Sequence, residues 1–331
     1  MTVQFPIRIC GTGAYLPEGV RTNQYFSDYL DTTDEWITSR TGIKERRVVA
    51  AHEATSDLGI KAAQDALDDA GLTVDDIDLI VCATATGDHQ FPATATFIQG
   101  GLGCKHDIPA FDVSAACAGF LTGTTVAVGM ISAGMHRRVL VVGAEALTRF
   151  ANDEDRTTVI LFGDGAGAAV IEKSEDPGQG ILYWDHGCDG SRAKDIIVPA
   201  GGSRLPASAT TVAERMHFLH MKGREVFKFA VKKIETLIDD AMQQTGLSPS
   251  DLKLVIPHQS NMRIIESARV RMGLSKDKMV LNIDRCGNTS AASVPMGLND
   301  ARRNGTLQEG DLVLMVAIGA GLVWCVMVIR L

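Results

Sequence analysis

One stretch of this chain occurs twice. Gly71-Leu72-Thr73-Val74-Asp75-Asp76-Ile77-Asp78-Leu79-Ile80-Val81 returns 175 residues later as Gly246-Leu247-Ser248-Pro249-Ser250-Asp251-Leu252-Lys253-Leu254-Val255-Ile256. The flanks repeat as well. A helix-like stretch precedes each copy: 56–70, with Leu58, Ala62, Ala66 and Leu67 on one face, Ser56 as cap and Gly71 as stop, and then roughly 224–245. After each copy comes a further short strand, 109–113 and then 279–283, and a run of small residues, 114–119 and then 286–293. An apolar strand follows in both cases, 139–143 and 312–317. A duplicated strand–helix order of this kind predicts an α/β protein of two similar halves, 1–175 and 176–331. No Pro- or Ser-rich linker divides them, so the halves are expected to share a core.

Composition agrees with layers packed closely. Of 331 residues, 45% are hydrophobic and 22% charged, which rules out disorder, while aromatics are only 5% and Gly numbers 33. The net charge of −8 gives no global positive field for nucleic acid. An acidic partner would need a local basic patch. Arg224, Lys228, Lys232 and Lys233, joined by Arg263, Arg269 and Arg271, supply either such a patch or a merely solvated face. The seven cysteines form no CxxC pair, so neither a zinc site nor a disulfide framework is expected, and reduced cytoplasmic thiols are. Residues 1–8 carry no secretory h-region. Residues 312–329 lack any charge and meet the lower length limit for a membrane span. Gly319 and Gly321 interrupt that run among β-branched residues, and two buried strands joined by a glycine turn are predicted instead.

Active sites in α/β units gather where strands end and helices begin. Three residues fall there. Cys117 opens the helix predicted over 118–132, His258 follows the strand predicted over 252–256, and Asn288 opens the helix predicted over 289–303. A helix N-terminus favours thiolate over thiol and offers N–H groups to an oxyanion. The competing reading of Cys117 is a buried structural thiol; of His258, a core histidine; of Asn288, a helix cap. Cys286, beside Gly287 and Asn288, is expected to form a pocket wall. Gly163-Asp164-Gly165-Ala166-Gly167 and Gly11-Thr12-Gly13 both lack the GxGxxG spacing of a dinucleotide loop. His217 and His220 have no third ligand nearby and are expected at the surface.

These residues sit inside longer motifs: Asp34-Glu35-Trp36-Ile37, Arg40-Thr41-Gly42-Ile43, Asp112-Val113-Ser114-Ala115-Ala116-Cys117-Ala118-Gly119-Phe120, Phe162-Gly163-Asp164-Gly165-Ala166-Gly167-Ala168, Pro257-His258-Gln259-Ser260-Asn261 and Gly287-Asn288-Thr289-Ser290-Ala291-Ala292-Ser293. Nearly end to end, the chain resembles the β-ketoacyl-[acyl-carrier-protein] synthase III family, the condensing enzymes that start type II fatty-acid synthesis. The resemblance implies a thiolase-like αβαβα fold of two duplicated halves, a homodimer, and no cofactor besides the substrates acyl-CoA and malonyl-acyl carrier protein. It implies that Cys117 is the acylated nucleophile and that His258 and Asn288 drive decarboxylation. The backbone N–H groups of Cys117 and Ala320 would form the other oxyanion hole. Trp36, Arg40, Arg156, Gly223, Phe227 and Asn261 would bind CoA. Lys228, Gln259 and Arg263 would dock the carrier protein, and Phe91 and Ile318 would shape the acyl pocket.

The chain departs from the family's C-terminal Phe-Gly-Gly-Gly-Phe-Thr-Trp-Gly, reading Ile318-Gly319-Ala320-Gly321-Leu322-Val323-Trp324-Cys325. Lys222 and Arg224 also replace commoner Ala and Asn. Together they predict a primer longer than, or different from, acetyl, in lipid or secondary metabolism. A papain-like hydrolase shares the order Cys, His, Asn, but Ala116-Cys117-Ala118-Gly119 is the wrong local signature for it. A non-enzymatic carrier-binding relative would be expected to lose one of the three residues, and a nicotinamide oxidoreductase rests only on the glycine loops.

Overall fold

Alternate residues of a strand face opposite ways, and in the strand Leu79–Ala83 both sets are apolar. Leu79 and Val81 join one core, Ile80 and Cys82 another. A strand apolar on both faces belongs in a sheet covered twice. The computed structural model, which describes residues 2–331, contains two such sheets. The first orders Ile7–Tyr15, Asp164–Lys173, Arg138–Ala146, Leu79–Ala83 and Ala110–Val113, with the last three parallel. The second orders Gly180–Cys188, Val323–Arg330, Leu312–Gly319 and Leu254–Pro257, the same sequence of partners shorter by one strand.

Helices complete five layers. Thr55–Ala70 covers the outer face of the first sheet through Leu58, Ala62, Ala66 and Leu67. Gly223–Thr245 and Met262–Arg271 cover the outer face of the second through Ile234, Leu237, Ile238, Ile265 and Ala268. Between the sheets lie Gly119–Ser132 and Ser293–Arg303, and their Phe120, Leu121, Val128, Val294 and Leu298 share one core with Val81, Val141, Val313 and Met315. Both halves therefore contribute to the central core, in the thiolase-like αβαβα arrangement.

Local chemistry repeats with the layers. Thr55–Ala70 and Gly223–Thr245 each stop at a glycine in the left-handed region, Gly71 (φ 65°) and Gly246 (φ 68°), where a side chain would be strained. In both following turns an aspartate three residues on accepts from the backbone N–H of the capping residue: Asp76 from Thr73 (2.9 Å) and Asp251 from Ser248 (2.7 Å).

Two expectations need correction and a third holds. The first helix is not capped by Ser56. It starts at Thr55, Asp57 accepts from the Ala54 N–H, and the Ser56 hydroxyl binds Asp88. Residues 279–283 do not form a strand: one bridge joins Met279 to Val255, and the chain then turns into the short helix Ile283–Cys286. There the Gln259 side chain takes the N–H groups of Asn282 (3.1 Å) and Ile283 (3.2 Å), so these donors are unavailable to a ladder. The apolar run 312–329 is two antiparallel strands, as expected, and among the described residues no helix is long and apolar enough to cross a membrane.

Candidate active site

A tight turn starts each central helix. Ala116–Ala118 leads into Gly119–Ser132, and Ser290–Ala292 leads into Ser293–Arg303. The first residue of each turn is left-handed, Ala116 at φ 44° and Ser290 at φ 47°. Both turns border one cavity of about 370 Å³, which Cys117, His258 and Asn288 all line. No Asp, Glu, Lys or Arg lines it; the walls are apolar, including Leu147, Phe150, Ile196, Phe227 and Ile318.

His258 follows the strand Leu254–Pro257, and its N–H bonds to Val316 O (2.8 Å). Its Nδ1 lies 2.6 Å from the Ser293 hydroxyl, which itself accepts from the Gln259 N–H (3.3 Å). In the tautomer in which the hydroxyl donates to Nδ1, the ring proton sits on Nε2. That Nε2 is buried without a protein partner. Burial pushes the ring's pKa down to about 3, so the imidazole is a neutral donor near pH 7.

Asn288 is held by its backbone. Its N–H donates to Leu161 O (2.8 Å), its carbonyl accepts from Gly163 N (3.0 Å), and its Oδ1 accepts from Ser290 N (2.9 Å). The amide is thereby oriented with Nδ2 as the end left for a ligand. Arg46, fully buried, braces the same loop by donating from Nη2 to Ile160 O (2.6 Å). The Gly163–Gly167 motif has this bracing role and holds no nucleotide loop: Asp164 is buried and accepts from Val49 N and Thr148 N.

Cys117 corrects the expectation of a resting thiolate. It precedes the α-helix within a turn, partly open to the cavity, and burial pushes its thiol up to about 12, more than a hydrogen bond from Ser290 brings it down. The resting group is a thiol that must lose a proton to react. Gly319 leaves room above it: a Cβ there would stand 2.6 Å from the Cys117 nitrogen, in the space an oxyanion needs. Ala320 lines the same cavity.

The remaining candidates fall into groups. Gly223, Phe227, Asn261 and Ile318 line the cavity, and Asn261 also caps the helix Met262–Arg271 and donates to Arg40 O (3.2 Å). Trp36, Arg40 and Arg156 lie outside the cavity walls, with the Arg156 guanidinium 5.0 Å from the Trp36 ring centre. Lys228 and Arg263 are exposed beside Phe227, over which Arg263 sits at 5.4 Å. Phe91 is 84% exposed. Gln259 is not a docking residue of the surface: it is 1% exposed and bound to Pro257 O and Val280 O. Cys286 is not a cavity wall but lies fully buried with Ala292 and Met296. His220 is exposed as expected, whereas His217 is half-buried against Thr211 (2.9 Å). Ser293 and Arg46 escaped the sequence reading because each acts through a neighbour.

The family described as 3-oxoacyl-[acyl-carrier-protein (ACP)] synthase III matches residues 111–190, and the description of its C-terminal part matches residues 242–331. The chain is 49% identical to a β-ketoacyl-[acyl-carrier-protein] synthase III of Caldanaerobacter subterraneus subsp. tengcongensis, covering 97% of each chain. It is 47% identical to that of Symbiobacterium thermophilum, covering 98% of each. The crystal structure of 3-oxoacyl-[acyl-carrier-protein] synthase III from Aquifex aeolicus superposes with a TM-score of 0.90 at 41% identity, covering 98% of this chain and all of that one. A thiol, two neutral donors and an apolar cavity between duplicated halves agree with these likenesses, and the chain belongs to the β-ketoacyl-[acyl-carrier-protein] synthase III family.

Proposed function

We propose that this chain starts fatty-acid assembly by condensing an acyl group from acyl-CoA with malonyl-acyl carrier protein, releasing CO₂ and a 3-oxoacyl product. One observation carries the proposal: Cys117, the partnerless Nε2 of His258 and Asn288 face a single uncharged cavity. The Cys117 sulfur adds to the acyl-CoA carbonyl, the N–H groups of Cys117 and Ala320 receive the oxyanion, and CoA leaves. The malonyl thioester then enters. Its carboxylate meets no cation in the walls, so loss of CO₂ is favoured over charge retention. His258 Nε2–H and the Asn288 amide donate to the enolate oxygen, and the enolate carbon attacks the acyl-cysteine. Each bond change is assigned to side chains, backbone and the two substrates, so the scheme calls for no cofactor.

Trp36 and Arg156 stack on the CoA adenine, with Arg40 on its phosphates, and Gly223, Phe227 and Asn261 border the pantetheine path. Lys228 and Arg263 face the acidic carrier. Phe91 is a large exposed aromatic suited to burial against a second copy, in a homodimer where it reaches the partner's acyl pocket. Seven free thiols suit a reducing cytoplasm. Ile318, in place of an aromatic residue, widens the space near the sulfur for a primer other than acetyl.

Labelled acyl-CoAs from C2 to C12 test this directly. Label is expected on Cys117 by peptide mass spectrometry, followed by CO₂ release when malonyl-carrier protein is added. No label, or label without CO₂, rejects condensation; label from acetyl-CoA alone rejects the longer primer.

A further inference from the structure

A buried cation takes no part in the scheme above. Arg46 lies on the short strand Glu45–Val48 and is fully buried. Its hydrogen bonds go to neutral oxygens and to no carboxylate: Nη2 donates to Ile160 O (2.6 Å), and Nη1 to Asn23 Oδ1 (2.9 Å) and Arg21 O (3.1 Å). Its buried Nε has no protein partner. A charge placed among dipoles in this way is costly, and an apolar side chain of similar volume is often as good for stability. What a guanidinium adds is geometry, a planar fork whose donors leave at fixed angles. The fork is itself held. It lies over the Phe26 ring, with Cζ 4.5 Å from the ring centre. The Asn23 amide that receives Nη1 is fixed in turn by donating to Asp34 Oδ1 (2.7 Å) and Ile43 O (2.8 Å). On its other side the fork holds Ile160, where the chain begins to pair with Asn288. Leu161 O accepts from Asn288 N (2.8 Å), and Gly163 N donates to Asn288 O (3.0 Å). The stem of Arg46 touches both of these segments: a Cβ on Gly163 or on Gly287 would stand 3.1 Å from the Arg46 Cβ.

We propose that Arg46 is a positioning residue for decarboxylation: its fork and stem set residues 160–163 against residues 287–288 and thereby aim the Asn288 amide at the malonyl thioester oxygen. The proposal rests on Asn288 donating to the enolate. Arg46 lines no part of the cavity and meets no substrate, so it acts only through the residue it places. Asn288 has one further tie, its Oδ1 on Ser290 N (2.9 Å), and that bond turns the amide about a backbone whose place Arg46 fixes. The other two groups of the site are held from elsewhere. His258 hangs on Ser293 and on Val316 O, and none of the Arg46 hydrogen bonds reaches the turn that carries Cys117. Loss of the fork is therefore selective: it moves one of the two enolate donors and leaves the acylation chemistry in place. A displacement of about 1 Å at a reacting donor is enough to slow a step severely.

Arg46→Lys keeps the charge and much of the stem but loses the fork. CO₂ release from malonyl-carrier protein is expected to fall about tenfold, while acylation of Cys117 at saturating labelled acyl-CoA stays within about twofold. Asn288→Ala alone should lower CO₂ release by about 10²-fold. In that background Arg46→Lys is expected to cost nothing further, because the group it aims is gone. A wild-type rate in Arg46→Lys, equal losses in acylation and CO₂ release, or the same tenfold loss on top of Asn288→Ala each overturns the proposal. A misfolded Arg46→Lys betrays itself by iodoacetamide labelling of the buried Cys82, Cys286 and Cys325. Asn23→Ala then decides alone: it leaves the fork without the oxygen that holds Nη1, and the same selective loss of CO₂ release, about threefold, is expected. Undiminished CO₂ release in Asn288→Ala refutes the role of Asn288 in condensation. The crystal structure of Arg46→Lys then decides the positioning role separately, a displaced Asn288 amide upholding it and an unmoved one overturning it.

Discussion

The two turns that open the central helices have the same backbone and different side chains. Ala116, Cys117 and Ala118 in the first half correspond to Ser290, Ala291 and Ala292 in the second, with matching left-handed starts at φ 44° and 47°. Gly119 likewise corresponds to Ser293 at the first helical position. The first turn supplies a sulfur among small residues. The second supplies two hydroxyls, that of Ser290 on the cavity that sulfur lines and that of Ser293 fixing His258 through Nδ1 at 2.6 Å. The strand ends divide in the same manner: Ala83 and Thr84 in one half stand where His258 and Gln259 stand in the other. Duplication therefore provides two facing turns on one cavity, and a few side chains give one the covalent step and the other the stabilisation of charge.

The strongest way to break that division is to remove one half's chemistry and ask whether the other's survives. Cys117→Ala is expected to abolish acylation and condensation together. His258→Ala is expected to keep acylation of Cys117 by labelled acyl-CoA while lowering CO₂ release by about 10²–10³-fold, the usual effect of losing one oxyanion donor. Condensation at the normal rate in His258→Ala contradicts the division. Protonation of His258 adds a stability signature. Its folded pKa, about 3, lies below the ordinary 6.5. As pH falls through 6.5 the unfolded chain takes up a proton that the folded one refuses, so the fold loses stability between 6.5 and 3. A melting temperature that declines over this window in wild type should decline less in His258→Ala.

A milder probe acts where the halves touch. Gly319 belongs to the second half, and a Cβ on it would meet the Cys117 nitrogen of the first at 2.6 Å. Gly319→Ala is expected to displace one oxyanion donor and slow acylation by about 10–10²-fold, with decarboxylation of a malonyl thioester less affected. Equal losses in both steps would show that the two halves' contributions are not independent at this contact.

Much of this division was legible in the sequence because it lies in the repeat. Gly71 and Gly246, the strand Leu79–Ala83 and its partner Leu254–Pro257, and the paired strands of 312–329 were all marked by short-range pattern. Cys117, His258 and Asn288 stood out because polar or reactive groups occupied strand-to-helix junctions. What escaped depends on distance. Gln259 follows His258 in a polar run and resembled a surface residue, yet its side chain is buried and takes two backbone donors that a fifth strand would otherwise use. The state of Cys117 escaped for a related reason. The N-terminus of a helix is visible in sequence, but the dry walls that outweigh it come from both halves and many separate segments. No short-range pattern marks Glu145 at the end of an apolar strand, because its partners Thr84 and Thr86 come from another segment.

The smallest effects are expected on the outside, where the halves again differ. The outer helix of the first half, Thr55–Ala70, carries Asp57, Asp65, Asp68 and Asp69 against a single Lys61, while the outer helices of the second present exposed Lys228 and Arg263 beside cavity-lining Phe227. On the proposed docking, an acidic carrier protein would be repelled by the first surface and drawn to the second. Exposed charges at a rim contribute about 0.2–1 kcal/mol each and are screened by salt. Lys228→Glu should therefore raise the KM for malonyl-carrier protein by about fivefold at low salt, with the difference shrinking at 0.5 M NaCl and KM for acyl-CoA unchanged. Gln64→Glu, which adds the same kind of charge to the exposed face of the first half's helix, should leave both constants where they were. An equal response to the two substitutions would mean that only net charge is sensed, and that the carrier does not distinguish one half of the molecule from the other.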